Sequence, residues 1–273
     1  MSEQKLNGNG RAPQSITYVG HATVLIQMDG VRLLTDPILR GRVAHLSHRT
    51  RRIEPTYFEN IDAVLISHLH WDHLDWPSLR RLGHNTRILA PRGSAAYFAG
   101  RGFKNVEELQ NGEETRVGGV AVRATQAVHD GRRYPKGPFA DPVGYLVNSH
   151  HSIYFAGDTD LFPAMSHLAD NLDVALLPVW GWGPTLGTGH LTPDRAAQAL
   201  TMLRPQIAIP IHWGALHPIG MGMLKPAFLT QPPVAFARHA ARLAPEVNTC
   251  ILPIGNTLSL NGVNGADNGA QAG

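Results

Sequence analysis

The stretch "ISHLHWDHLD", residues 66–75, sets three histidines and two aspartates directly after the apolar run "DAVLI". Imidazoles and carboxylates concentrated where a strand ends place polar side chains at a sheet edge, where loops gather and sites are built. Neutral imidazole nitrogen and carboxylate oxygen are the donors that zinc and similar cations take. In an extended segment, residues two apart project to the same side, so His68 and His70 reach one cation together. Asp72 and His73 are adjacent and diverge unless the chain bends there. A helix expected from Pro77 gives it reason to bend, and the two residues then aim at a second cation beside the first.

A metal site needs donors from elsewhere as well. His129 follows "VRATQAV", Asp158 follows "SIYFAG" and His212 follows "IAIPI". Each stands at the end of a strand candidate. Taken singly, each is an ordinary surface or satisfied core residue; their shared placement is what joins them to the first cluster.

The chain has 273 residues, enough for one large domain or two small ones with a proper core. Hydrophobic residues make up 43% and charged residues 16%, which places it among compact globular proteins and away from disorder. The single cysteine, Cys250, excludes an internal disulfide and a cysteine zinc cluster, and within an apolar strand candidate it reads as structural. The N-terminus has no apolar signal-peptide core and no stretch is long and apolar enough to span a membrane, so the expected location is the cytoplasm. A formal charge of +3 is too small to imply nucleic acid by itself. The basic residues are unevenly spread, however: "RGRVAHLSHRTRR", Arg40–Arg52, contains no acid. It is either a solvated loop or a rim that attracts an anionic substrate, with Arg49 and Arg51 as the contacts.

Residues 1–14 and 262–273 are polar and glycine-rich and are expected to be disordered tails flanking one domain over 15–261. Strands are expected at Ile16–Met28, Val31–Thr35, Ala63–Ser67, Arg87–Ala90, Val120–Ala127, Ser152–Ala156, Val174–Pro178, Ile207–Ile211 and Thr249–Pro253. Helices are expected at Pro77–Leu82, Ser94–Gly100, Phe162–Asn171, Pro193–Leu203 and Pro233–Leu243; the fourth starts most clearly, with Thr192 as N-cap and Pro193 at its first position. Early strands joined by short turns and later strands alternating with helices argue for layered sheets with helices outside, a mixed α/β (α+β) class.

"SHLHWDHLD", "AVHD", "FAGDTD" and "IPIHWG", in that order, resemble the metallo-β-lactamase fold superfamily of metal-dependent hydrolases over nearly the whole chain, from about Ile16 to Pro253. "YVGHATVLIQMDGVRLLTDPI" and "GHLTPDRAAQAL" are similar to the branch that holds N-acyl-phosphatidylethanolamine phospholipase D and L-ascorbate-6-phosphate lactonase. The resemblance implies a four-layer αββα sandwich with two divalent metal ions at one edge. It implies that His68, His70 and His129 bind the first ion, that Asp72, His73 and His212 bind the second, and that Asp158 bridges them. Asp36, in "LLTDP", matches an early aspartate that supports a metal-binding histidine; the plainer reading is a turn residue before Pro37.

Two such ions share a water and lower its pKa toward neutrality, so the expected nucleophile is a bridging hydroxide, with Asp72 in the catalytic set. Zinc fits the ligand types, and manganese or iron also suit mixed nitrogen and oxygen donors. No "G-x-S-x-G" suggests a serine nucleophile. The glycine-rich loop Val179–Pro193 carries Trp180, Trp182 and His190. His190 is expected to be catalytic, donating to a phosphate oxygen or a leaving group, or else to pack before the helix start. Trp180 and Trp182, with Trp213, either wall a substrate pocket or belong to the core. The branch resemblance places His21, which interrupts an apolar strand pattern, near the metals and among the substrate-binding residues.

The expected activity is hydrolysis of a phosphoester or phosphodiester of a small anionic or lipid-like molecule, with a lactone or other carboxyl ester as the alternative. The stretch after His129 lacks the tryptophan-rich run of the phospholipase, which argues against a specific phospholipid. A nuclease is disfavoured, because Asp158 and His212 are only 54 positions apart and leave no room for an inserted domain. A non-catalytic metal-stabilised module would need a closed coordination sphere. The sequence leaves the oligomeric state open, with a homo-oligomer among the possibilities.

Overall fold

The computed structural model describes residues 13–50, 52–168 and 170–263. Two seven-stranded sheets carry the fold. In the first, the spatial order is Thr257–Ser259, Ser15–Gly20, Thr23–Met28, Val31–Thr35, Ala63–Leu65, Arg87–Pro91 and Val106–Leu109. In the second it is Asn248–Thr249, Ile207–Ile211, Val174–Pro178, Ser152–Phe155, Val143–Asn148, Val120–Gln126 and Glu114–Val117.

Alternation of side chains along each strand assigns the layers. Ala63 and Leu65 face the second sheet in the main core with Val122, Tyr145, Phe155 and Leu176. Val64 and Ile66, one position out of step, belong to a separate cluster with Leu79 of the helix Trp76–Leu82 and Phe98 of the helix Ala95–Ala99. On the other side, Leu200 of the helix Pro193–Leu203 and Phe236 of the helix Ala227–Leu243 join Leu177 and Ala208 of the second sheet. The result is the expected αββα layering. Leu200 is fully buried, and truncating such a side chain to alanine costs about 2–5 kcal/mol.

Strand direction then decides where the polar residues meet. Val31–Thr35, Ala63–Leu65 and Arg87–Pro91 run parallel, as do Ser152–Phe155, Val174–Pro178 and Ile207–Ile211. Val120–Gln126 pairs antiparallel with Val143–Asn148, which pairs antiparallel with Ser152–Phe155, so it points the same way as the latter. The residues that follow these strands therefore gather at carboxyl ends, the usual place for a site in open α/β sheets.

Some expectations change. Ile16–Met28 is two strands, because Gly20 (φ +136°) and His21 (φ +58°) turn the chain back on itself. By contrast "MDGV", Met28–Val31, is one of the short turns expected between early strands: Asp29 and Gly30 both take positive φ, the signature of a tight hairpin turn. Phe162–Asn171 is reduced to a short 3-10 turn at Pro163–His167, and only Asn248–Thr249 of the last strand region pairs in the sheet. The last helix begins at Ala227, with Pro232 and Pro233 inside it. Val106–Leu109 and Glu114–Val117 are strands the pattern hid, since both are sheet edges and carry the charged residues that protect an edge. Of the expected tails, residues 1–12 and 264–273 lie outside the described residues. Gln14 is buried and donates its amide to Asp29 at 2.8 Å.

A small third sheet of Arg42–Val43, Leu46–His48 and Leu216–Pro218 lays the basic stretch against the segment after His212.

Candidate metal centre

Four imidazoles are held in one orientation by acceptors on their Nδ1 side. His73 Nδ1 donates to Asp36 Oδ2 at 2.7 Å, His129 Nδ1 to the Gly189 carbonyl at 2.8 Å and His212 Nδ1 to the Trp180 carbonyl at 2.6 Å. The fourth follows by elimination. Ser67 Oγ gives its proton to Asp36 Oδ2 at 2.5 Å, so it accepts from His68 Nδ1 at 3.0 Å. Each ring therefore turns Nε2 inward, the arrangement by which outer partners set the tautomer of a metal-binding histidine.

The inward nitrogens converge. His73 Nε2 and His212 Nε2 are 3.0 Å apart, and His129 Nε2 lies 3.1 Å from His70 Nδ1. Asp158 stands between, with Oδ2 3.1 Å from His73 Nε2 and Oδ1 3.3 Å from His212 Nε2. Asp72 Oδ2 is 3.5 Å from His212 Nε2 and 3.7 Å from His73 Nε2. His68, His70 and His129 form one group of potential ligands within 4.8 Å, and His21, Asp72, His73 and His212 form another. The bend that Asp72 and His73 require is present as a helical turn, with His73 N and Leu74 N both donating to the His70 carbonyl.

Burial pushes His68 well below the usual imidazole range and His129 down to about 4, which leaves both neutral and able to ligate. Burial opposes charge on His73 too, but Asp158, Asp72 and Asp36 together outweigh it and raise its pKa well above the ordinary value. For Asp158, burial is likewise outweighed, here by His212 and His73, so its carboxyl is held well below the usual range. A proton on His73 thus occupies the place where positive charge is most favoured. His68 Nε2 and Asp158 Oδ1 are buried without a hydrogen-bond partner among the described residues. Inward lone pairs, orphaned donors and a buried carboxylate between two imidazoles fit divalent cations, and no cysteine among these donors argues for a soft metal.

Three of these residues, His21, Asp36 and His212, have positive φ (+58°, +34° and +61°). Such conformations are uncommon outside glycine and cluster at functional sites.

Asp36 is fully buried and is more than a turn residue: it also accepts the Ser67 backbone N–H at 2.8 Å, so one carboxylate fixes the His68 and His73 rings together. His190 sits at the mouth, with Nδ1 near the carbonyls of Gly187 (3.2 Å) and Thr188 (3.0 Å) and Nε2 3.4 Å from Asp158 Oδ2. Burial disfavours its charge, but Asp158 and those carbonyls raise its pKa to about 9.

The residues expected to touch substrate are dispersed. His21 is fully buried and pairs with Asp72 Oδ2 at 2.8 Å beneath the centre, so it is not placed to contact substrate. Its ring lies 3.8 Å from that of His212, and burial lowers its pKa to about 3. Arg49 is exposed, with its backbone N–H bonded to the Ala215 carbonyl at 2.7 Å; Arg51 lies outside the described residues. Arg40, at the start of the same stretch, is committed to Asp75 through two bonds of 2.7 and 2.9 Å. Trp180 is half-buried, packs on the main core and lines an apolar groove with Pro184, Pro193 and Phe228. Trp182 packs on the small third sheet beside His45. Trp213 belongs to the core, stacked on Tyr18.

Sequence reasoning passed over Ser67, Gly157 and Arg133. Gly157 takes φ +61°, and a Cβ there would meet Ser67 Cβ at 2.6 Å, so the glycine lets Asp158 approach the first sheet. The glycine of "GDT" was the available signal.

A model of the beta-lactamase superfamily domain matches residues 31–213, the span that contains the His68–His73 turn, His129, Asp158 and His212. A UPF0173 metal-dependent hydrolase of Methanopyrus kandleri is 32% identical over 256 residues, covering 89% of this chain and 98% of its own. Another, from Opitutus terrae, is 36% identical over 210 residues, with 73% and 85% covered. Among solved structures, the metallo hydrolase Igni18 of Ignicoccus hospitalis superposes with a TM-score of 0.68 at 24% identity, over 90% of this chain and 97% of its own. The isothiocyanate hydrolase from Delia radicum gut bacteria does so with a TM-score of 0.69 at 20% identity, over 90% and 100%. At those identities the two structures show a shared fold. The likeness to the Methanopyrus protein runs through nearly its whole length, and the chain belongs to the metallo-β-lactamase superfamily as a metal-dependent hydrolase.

Proposed function

We propose that this hydrolase cleaves an ester of a small anionic molecule, a phosphoester or phosphodiester, and that residues 15–261 act as one catalytic unit. In this reading His68, His70 and His129 hold one divalent cation and Asp72, His73 and His212 a second, with Asp158 shared; zinc suits the donors best. When bound, such cations act as Lewis acids on an ester oxygen and lower the pKa of water. The observation that carries the reading is the convergence of inward imidazole nitrogens on Asp158, with His190 raised to about 9 beside them. His190 Nε2–H donates to the departing oxygen, and its Nδ1 side is steadied by the carbonyls of Gly187 and Thr188. Asp36 and Ser67 keep the His68 and His73 rings from rotating. Arg49 favours an anionic substrate, since its strand-end position abuts Ala215, three residues past His212. Arg51 belongs to the same basic stretch, and Trp182, packed on the small third sheet, walls that side of the approach, while Trp180 supports the loop from the core.

A side-by-side screen of metal-reconstituted protein against a chromogenic phosphodiester, a phosphomonoester and several lactones tests this. Turnover of a phosphate ester, with a KM raised by Arg49→Ala, is the expected result. Lactone turnover without any phosphate-ester turnover, unaffected by Arg49→Ala, overturns the substrate assignment in favour of a carboxyl-ester hydrolase.

A further inference from the structure

Arg133 heads the largest fully buried side chains of the described residues, 1% exposed, and it lies against the Leu69–Leu74 bend. Its Nη1 donates to the carbonyls of Leu69 and Leu74, the latter at 3.1 Å, and approaches that of His70 at 3.4 Å. The guanidinium also stacks 4.2 Å from the ring of Trp71, the residue between His70 and Asp72. Its own backbone is pinned in a tight turn, donating to the Pro138 carbonyl at 3.0 Å and accepting from Gly137 N–H at 2.6 Å. Nε and Nη2 have no hydrogen-bond partner among the described residues. A buried guanidinium with two unmet donors is costly, and its bonds go to a single segment.

That segment is the one whose shape the site depends on. His68 and His70 reach one side by strand alternation alone. Asp72 and His73 reach the other only because the chain curls at His70, whose carbonyl accepts from both His73 and Leu74. The carbonyls of Leu69, His70 and Leu74 at both ends of that curl all meet the one Nη1 of Arg133. We propose that Arg133 is a positioning residue that holds the curl and so aims Asp72 and His73 at the second cation. The inference rests on the two-cation reading above. A lysine ammonium can offer protons to these carbonyls, but it has no planar guanidinium to stack on the Trp71 indole while doing so.

Metal-free wild type, Arg133→Lys and Arg133→Met are titrated with zinc against a chromophoric chelator. Cobalt(II) absorption spectra and the melting temperature of each metal-free protein are recorded alongside. Wild type is expected to take up two equivalents. In Arg133→Met one equivalent weakens by about 10- to 100-fold, the loss typical of removing a partner that orients a ligand, while the other stays within about twofold. The cobalt spectrum of the weakened site changes, Arg133→Lys falls between, and methylguanidinium restores part of the loss. Equal loading of Arg133→Met and wild type overturns the inference alone. So does parallel weakening of both equivalents that follows the metal-free melting temperature, which marks a general packing role. If Arg133→Met does not fold, Arg133→Lys decides by the same criteria. Wild type that takes up no metal overturns the site assignment and this inference together.

Discussion

Two turns of this protein are rich in histidine, at opposite ends of the same sandwich. "SHLHWDH" follows the strand Ala63–Leu65 at the metal edge, and "NSHHS" joins Val143–Asn148 to Ser152–Phe155 at the far end from Asp158. In the second, His150 is exposed and pairs with Asp29 at 3.0 Å, while His151 is buried 3.4 Å from Asp173. Asp173 is already bonded to the Ser152 N–H and the Gln206 amide, both at 2.8 Å. Each imidazole there has its own carboxylate, and their nitrogens do not converge. At the metal edge the acceptors sit behind the rings and the free nitrogens face one another. In both turns the partner sits on the Nδ1 side; the difference lies in whether the remaining nitrogens are brought together, as they are around Asp158 and, among the described residues, are not around His150 and His151, which histidine content does not report.

Substitutions at the two ends sharpen the contrast. Asp158→Ala is expected to abolish metal loading and turnover together, measured by elemental analysis and assay; turnover retained without Asp158 would mean the shared ligand lies elsewhere. His190→Gln is expected to keep the metal and lose about 10²–10⁴ in kcat, the range for a general acid. Loss of metal instead would make His190 a ligand. Asp36→Asn keeps the volume but not the charge behind His73, and zinc affinity is expected to fall about 10- to 100-fold in a competition titration. His150→Ala and His151→Ala are expected to leave metal content and turnover unchanged. For exposed His150 the stability change stays within about 0.5 kcal/mol by denaturant melts. A drop in metal content in either variant would break the comparison.

The smallest effect concerns neither end. Tyr18, Tyr145 and Tyr154 are fully buried between them, and burial raises all three phenols above the ordinary value of 10. The folded chain therefore holds protons that the unfolded chain releases above that value. Their contribution is complete below pH 10 and is lost as pH rises toward the folded values, so the melting temperature is expected to decline from about pH 10 upward. A flat profile to pH 11 would contradict this.

Much of the metal edge was legible because donors stand in sequence where strands stop. His129, Asp158 and His212 were each marked by standing directly after a strand candidate, "VRATQAV", "SIYFAG" and "IAIPI", and all of them come together. Reading His21 was harder. Its sequence shows an imidazole within an apolar pattern, and only the hairpin turn at Gly20 and His21 puts it under Asp72. Arg133 gave no signal at all, since a basic residue in a loop reads as solvated until the fold buries it.

Local order along the chain thus determined the donor types, the strand ends that carry them and the layered class, because alternation and turn chemistry act over a few residues. Tertiary structure alone decided which ring nitrogen faces inward. That choice depends on acceptors such as Gly189, Trp180 and Asp36, brought from distant strands and loops, and no local pattern encodes a tautomer.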